Sequence, residues 1–524
     1  MGDPREFTRR TLLRAAAGGA GVTFLGGCTA GATRPSATPA TSTTGPSITH
    51  SASAGATTGR PAWADLQARM TGRVHLPGRA GYDAARLSAN PRYDRLRPAA
   101  VASCENPSDV AAAVAFARDS SVPFTVRSGG HSYTGASTGP HLVVDVSAMS
   151  QVHVDPRTGW VRIGAGARLV DVYAAVARAG RAIAAGSCPS VGATGLTLGG
   201  GVGVLARNWG LTCDQLVSYD MVTADAAMRT VDAIREPDLL WAGRGGGGGS
   251  FGAVTQLTLQ TRPAPDLTVF AMYWPWSAAA EVVQAWQQWG PTTDVRCWST
   301  CKVQAGPGRQ PAVLVAGVWN GPDASLAPVL GALTGSVGAG TTWRSTRRHG
   351  YLDAMLIEAG CQGAGCHLPP AGSLVREPLA ATSHVPSAQM SSRAVSTLVS
   401  AVESAAGTPG LHLVTASLDA LGGAVAARPS PSTAFVHRAA PFTVQYTATW
   451  TQPALPGSRF DTVVRGLRAT MTPYLGTGAY VNYCDAALPG WQDAYWGSNY
   501  SRLQAIKRAV DPHDLFNGPQ SVRP

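Results

Sequence analysis

Glycine crowds into one stretch of this chain, and that stretch limits what the chain can fold into more than any other. It runs Gly186-Ser187-Cys188-Pro189-Ser190-Val191-Gly192 and continues as Gly195-Leu196-Thr197-Leu198-Gly199-Gly200-Gly201-Val202-Gly203. Glycine loses more backbone freedom on folding than any other residue, so such density fits a place where a large flat ligand lies against bare backbone. Cys188 inside that loop reads either as a thiolate able to attack an electron-poor ring or as an ordinary buried thiol.

A decoy sits in the same run. Gly201-x-Gly203-x-x-Ala206 matches the dinucleotide fingerprint, and Asp225 stands about twenty residues on, where a ribose-binding acid would be. No continuous apolar strand precedes Gly201, and Gly210 interrupts the helix that should follow, so a Rossmann site is rejected.

The second informative segment is Pro123-Phe124-Thr125-Val126-Arg127-Ser128-Gly129-Gly130-His131-Ser132-Tyr133. A strand ending in Ser-Gly-Gly lets several backbone N–H groups turn toward one anion, with His131 just past that nest. Alone, the pattern also fits a glycine turn beside a surface histidine.

Periodicity predicts a helix over 109–118 capped by Ser108, then strands at 122–127 and 142–146. A hairpin pairs 151–154 with 160–164, a helix over 169–179 stops at Gly180, and strands follow at 216–223, 228–231 and 253–259. Strict βαβ alternation is absent, which points to an α+β unit. Past a Pro-rich boundary at 261–266, strands at 267–274, 312–318, 411–417 and 442–450 alternate with helices at 278–289, 326–333 and 391–405. That predicts a second α+β unit, a sheet covered by helices.

At the start, Thr8-Arg9-Arg10-Thr11-Leu12-Leu13-Arg14 and the weakly apolar Ala/Gly stretch to Gly27 resemble a twin-arginine export signal. Leu25-Gly26-Gly27-Cys28 resembles a lipoprotein cleavage box, so lipid on Cys28 is a route to membrane attachment. Residues 28–60 form a linker dominated by Ala, Gly, Ser, Thr and Pro, too polar and too small in side chain to bury a core. Formal net charge is +11, and residues 1–27 hold four Arg against one Asp and one Glu, so the remainder carries +9, thinly spread. With no Lys/Arg block interleaved with aromatics, nucleic acid is not an expected partner. Among nine cysteines, Cys297 with Cys301 and Cys361 with Cys366 are near neighbours, but other ligands are sparse and no metal site is expected. Cys104 and Cys213 read as buried thiols.

The motifs occur in a telling order. Arg127-Ser-Gly-Gly-His131-Ser132, Cys188-Pro-x-Val191-Gly192, Asp214-Gln-Leu with Val222-Thr-Ala-Asp225, and Arg244 with five glycines before Ser250-Phe251-Gly252 lead to a tail of Asn482-Tyr483, Tyr495-Trp-Gly497, Lys507, Asp511-Pro512 and Pro519-Gln-Ser521. From about residue 80 onward this resembles the berberine-bridge-enzyme-like oxidases, whose flavin domain is of the vanillyl-alcohol-oxidase type.

The resemblance implies an FAD cofactor held by two covalent bonds, from His131 to the flavin 8α-methyl carbon and from Cys188 to ring carbon 6. It places Arg127, Ser128, Gly129, Gly130 and Ser132 around the diphosphate and Gly192, Gly195, Gly199 and Gly200 against the cofactor. Gly252 and Val254 fall near the adenosine end, and Asn482 with Tyr483 at the flavin edge over the substrate. Tyr483 is the expected proton acceptor, with Tyr446 as the rival base or as core packing, and Gln445 faces the isoalloxazine. Thr443 stands where many plant members carry Lys. Val191 goes with open access of oxygen, which implies an oxidase giving hydrogen peroxide.

The expected architecture is therefore α+β, with an FAD-binding domain from 80–262 plus 476–524 interrupted by a substrate domain at 263–475. The partners are a hydroxyl-bearing small molecule, carbohydrate first and a secondary-metabolite alcohol second, and oxygen. A dehydrogenase with another acceptor and a non-catalytic surface flavoprotein or binding module are the alternatives, and oligomeric state stays open.

Overall fold

The computed structural model describes residues 62–361 and 376–524. The twin-arginine segment, Cys28, the whole 28–60 linker and Cys366 lie outside the described residues.

Three buried strands, β2 (Ala100–Ser103), β3 (Phe124–Arg127) and β4 (Leu142–Asp145), run parallel in the order β2-β4-β3, with β1 (Arg73–His75) antiparallel at the edge of β2. The helix Pro107–Asp119 crosses between β2 and β3. Its cap is Asn106 and not Ser108: the Asn106 side chain accepts from the Asp109 N–H at 3.0 Å, Pro107 opens the first turn, and Ser108 lies within the helix. β3 ends at Arg127, so the Ser-Gly-Gly loop leaves from the carboxyl edge of a parallel sheet, where open sheets place ligands.

The chain continues through β5 (Val152–Val154), β6 (Val161–Gly164), β7 (Arg181–Ala182), β8 (Leu216–Val222), β9 (Met228–Val231), β10 (Ala253–Leu259) and β11 (Arg262–Pro263). Five of these make an antiparallel sheet ordered β5-β6-β10-β8-β9, and β7 pairs with β11. The helix Leu169–Arg178 ends at Ala179, followed by Gly180 at φ +67°.

The third sheet holds β12 (Asp266–Trp274), β13 (Cys297–Ala305), β14 (Ala312–Trp319), β15 (Trp343–Gly350), β16 (Leu379–His384), β17 (Leu411–Ala420) and β18 (Phe442–Trp450). Its order is β15-β12-β14-β13-β17-β18-β16, antiparallel throughout. Because side chains alternate along a strand, Cys301, Val303, Val414, Ala416, Val444 and Ala448 face one side, toward Val282, Trp286, Leu398 and Phe460 of the covering helices. Each fully buried aliphatic or aromatic side chain there contributes about 1.5–3 kcal/mol. The intervening residues, Thr300, Lys302, Gln304, Thr415, Ser417 and Asp419, line a cavity on the opposite face. Three strands of this sheet, β13, β15 and β16, and the helix Gly457–Leu475 had no counterpart in the periodicity.

Buried cations join the pieces. Arg207 donates to the carbonyls of Pro291, Thr293, Asp294 and Leu421 at 2.7–3.1 Å, and Arg438 grips both Asp214 oxygens at 2.8 Å. Cys361 is disulfide-bonded, with its partner outside the described residues, whereas Cys297 and Cys301 are free, buried thiols. No helix among the described residues is long and apolar enough to cross a membrane.

Candidate active site

Two loops meet back to back to form the floor of a long groove. A Cβ on Gly129 would come within 2.2 Å of the Gly192 nitrogen, and one on Gly192 within 2.5 Å of the Gly129 nitrogen, so only bare backbone lets these loops touch. Arg168 pins both, donating from Nη1 to Ser190 O at 2.8 Å and to Gly129 O at 3.4 Å. Ser128, Gly129, Gly130, Ser132, Gly192 and Gly195 line the groove, and Gly252 and Val254 lie along it. Its other wall is the five-glycine loop together with the tail from Phe516 to Ser521. Lys507, fully buried, holds that wall: Nζ donates to Ser250 O at 2.9 Å and Phe516 O at 2.8 Å and pairs with Asp511 at 2.6 Å. A Cβ added at Gly195 or Gly249 would meet nothing within 4 Å and would stand in the groove itself. A cradle walled by bare backbone and rich in turned N–H groups fits a diphosphate-bearing cofactor with a flat ring.

The groove opens into the cavity over the third sheet, and His131, Tyr133, Val191, Leu196, Asn482 and Tyr483 border both spaces. Cys188 lines the cavity side. The His131 Nε2 lies 2.9 Å from Ser190 Oγ, which is 3.6 Å from Cys188 Sγ. Desolvation, with a smaller push from Arg168, lowers the imidazole pKa to about 3, so the ring is neutral. Asn482 Nδ2 donates to Leu196 O and to the Tyr480 hydroxyl, both at 2.9 Å, and so holds the segment that carries Tyr483.

Tyr483 stacks on Tyr133 at 6.2 Å between centroids, and its hydroxyl reaches Asp419 Oδ2 at 3.5 Å. Burial first and the Asp419 charge second raise the phenol pKa well above its ordinary value. Burial likewise raises Asp419, against the pull of Lys302, whose own pKa desolvation lowers. Glu358 lines the same cavity, its carboxyl pushed up to about 7 by burial. Gln445 Nε2 donates to the Tyr133 hydroxyl at 2.9 Å, linking the sheet to the loop that carries His131.

Four expected site residues lie elsewhere. Arg127 points away from the groove into a buried ion pair with Asp145 at 2.7 Å and onto the carbonyls of Ala85, Arg86 and Leu87, so it braces the loop from behind. Gly199 and Gly200 make room for protein: their added Cβ atoms would collide with Asn482 Oδ1 at 2.0 Å and meet the Phe435 ring at 3.0 Å. Tyr446 occupies the helix-covered side of β18, fully buried, its hydroxyl 3.0 Å from His384 Nδ1, because it alternates with the cavity-facing Gln445. Conversely, Asp419, Lys302, Glu358, Tyr133, Arg168 and Ser190 belong to the site without having been singled out. For Asp419 a signal existed, since Thr415, Ser417 and Asp419 alternate with Val414, Ala416 and Leu418.

Residues 98–232 match the family described as FAD binding domain, and residues 479–523 the one described as berberine and berberine like. An FAD-linked oxidoreductase of Bacillus subtilis, YgaK, is 34% identical over 87% of this chain and 98% of its own length. The chain belongs to the berberine-bridge-enzyme-like FAD-linked oxidoreductases. A chitooligosaccharide oxidase of Gibberella zeae is 31% identical over 82% of this chain and 88% of that protein. The solved structure of a glucooligosaccharide oxidase from Acremonium strictum, described as carrying 6-S-cysteinyl, 8α-N1-histidyl FAD, superposes with a TM-score of 0.80. It is 28% identical and covers 89% of this chain and 99% of its own. The oxidoreductase uses FAD, and the groove is the place in this fold shaped to take it.

Proposed function

We propose that this chain oxidises a carbohydrate hydroxyl with FAD tethered to His131 and Cys188, and passes the electrons to oxygen. The observation that carries the reading is the pair Tyr483–Asp419, 3.5 Å apart where the cofactor groove opens onto the sheet cavity. FAD in the groove would accept a hydride from the substrate carbon and be reoxidised by oxygen. Residues 80–262 with 476–524 serve the cofactor, and 263–475 supply the substrate floor.

The chain's residues manage the proton. Tyr483 stays a phenol at neutral pH, so it takes the substrate's hydroxyl proton only as its own moves to Asp419 Oδ2. Burial makes Asp419 a better acceptor than an ordinary aspartate, and Lys302 balances its charge. The cavity floor presents hydroxyls and amides from Thr300, Gln304, Thr415, Ser417, Gln445 and Thr447, a surface suited to a polyol. Oligosaccharides are the substrates named for the two fungal relatives described above. Ser128, Gly129, Gly130 and Ser132 would hold the diphosphate, with Val254 and Gly252 nearer the adenosine. The Thr8–Gly27 segment would direct export, with lipid on Cys28 as the anchor.

Oxygen uptake and peroxide release, measured across oligosaccharides and phenolic alcohols with a dye acceptor in parallel, test the reading. Peroxide formed with oligosaccharides supports it. Turnover confined to phenolic alcohols, or to the dye, replaces the substrate or the acceptor, and no turnover with any donor leaves a binding flavoprotein.

A further inference from the structure

We propose that Ser190 is the positioning residue that turns His131 toward the flavin through Nδ1 and readies Cys188 as the second attachment point. The proposal rests on the covalent reading above.

Ser190 is only 4% exposed, and its hydroxyl stands between the two side chains, 2.9 Å from His131 Nε2 and 3.6 Å from Cys188 Sγ. A neutral imidazole carries one N–H and one lone pair, and the partner of one nitrogen decides which. A serine hydroxyl owns a single proton. When that proton is given to the Cys188 sulfur, the oxygen is left as the acceptor for Nε2–H, and the lone pair resides on Nδ1. No hydrogen bond among the described residues engages Nδ1, and His131 borders the open groove. The chain Nε2–H to Oγ–H to Sγ thus fixes the nucleophilic atom of His131 and stabilises negative charge on the sulfur. Arg168 holds the Ser190 carbonyl at 2.8 Å, so the hydroxyl is held on a fixed backbone. Val191 and Gly192, the next residues, form the groove floor, which leaves Ser190 little freedom to swing away.

The bond-making balances. Nδ1 bonds to the 8α-methyl carbon as one methyl C–H breaks; that proton and the Nε2 proton, the latter released through Ser190, leave with two electrons that the ring receives. Dioxygen takes the two electrons and two protons as hydrogen peroxide. The Cys188 sulfur replaces the hydrogen on ring carbon 6 with the same balance.

The test uses the full-length chain with Ser190→Ala and Ser190→Thr, incubated with FAD and sampled in time. Intact mass counts tethered flavin, peptide mass spectrometry assigns the linked residue, and acid-released flavin reports the non-covalent fraction. Ser190→Ala is expected to form the His131 bond about tenfold more slowly, the kinetic equivalent of one lost hydrogen bond, while Ser190→Thr restores it to within about twofold. Equal rates in wild type and Ser190→Ala, or a Ser190→Thr as slow as Ser190→Ala, overturn the role. If Ser190→Ala takes up no flavin at all, Ser190→Gly, which likewise lacks the hydroxyl, repeats the comparison. A wild type without tethered flavin brings down the covalent reading and this role together, whereas a tethered wild type beside an equally tethered variant brings down Ser190 alone.

Discussion

The Tyr483 hydroxyl meets Asp419 Oδ2 at 3.5 Å across 64 residues of sequence, so the base proposed for this site would be shared between the tail that closes the groove and the strand that floors the cavity. Tyr483→Phe is expected to slow substrate oxidation by about 10²–10⁴-fold with tethered flavin unchanged. Asp419→Asn should cost less, about ten- to a hundredfold. Because the Asp419 pKa is raised, the rate falls as pH drops through that value, and this acid limb should vanish in Asp419→Asn. Anaerobic bleaching of flavin absorbance on mixing with substrate measures both.

Tyr446→Phe separates the two tyrosines. Its hydroxyl serves His384 inside the core, so the change should lower stability by about 1–2 kcal/mol and leave turnover within about twofold. Urea unfolding and steady-state kinetics on the same preparation decide it, and a hundredfold loss of turnover would return Tyr446 to the site.

Val191 borders both the groove and the cavity. Enlarging it to Leu should slow reoxidation by oxygen by about tenfold or more while a dye acceptor keeps its rate, since a dye takes electrons at the exposed edge. Reoxidation of pre-reduced protein, followed at the flavin band, checks this.

Glu358 gives the fold a pH dependence of known sign. Its carboxyl titrates near 7 when folded and near 4.5 when unfolded, so the folded state holds the proton more tightly. The stability it contributes is complete below 4.5 and is lost as pH rises through about 7. Glu358→Gln should therefore gain thermal stability relative to wild type between pH 5 and pH 8; an unchanged difference between the two proteins at those pH values would remove the assignment.

The sequence was most legible where pattern and burial agree. Leu169–Arg178 and the strands β8, β10 and β18 have apolar positions that repeat at the period of the element they form. It was least legible where function or solvent breaks the pattern. On β13 the cavity face reads Thr300, Lys302, Gln304, so a buried strand presents a polar, charged run. β15 is an edge strand, largely exposed and carrying Arg344, Arg347 and Arg348, which hides it as a loop while discouraging pairing with another chain. In the site, the glycine loops and His131 were readable because bare backbone must be written as glycine. Ser190 was not, since its partner His131 comes from a distant segment, and the alternation that marks Asp419 as cavity-facing says nothing of Tyr483, 64 residues away. Arg127, adjacent to the nest, drew attention for its position, yet β3's alternation aims it at Asp145.

The wall formed by residues 516–521 has a consequence for the order of events in the cell. A nascent chain still missing those residues has a cleft open along one side, with Lys507 lacking the Phe516 carbonyl that it holds in the finished wall. Flavin loading therefore belongs after translation has passed the tail, and the tethers proposed at His131 and Cys188 would form on a finished globule, which is the state in which a folded-cargo export route would receive it.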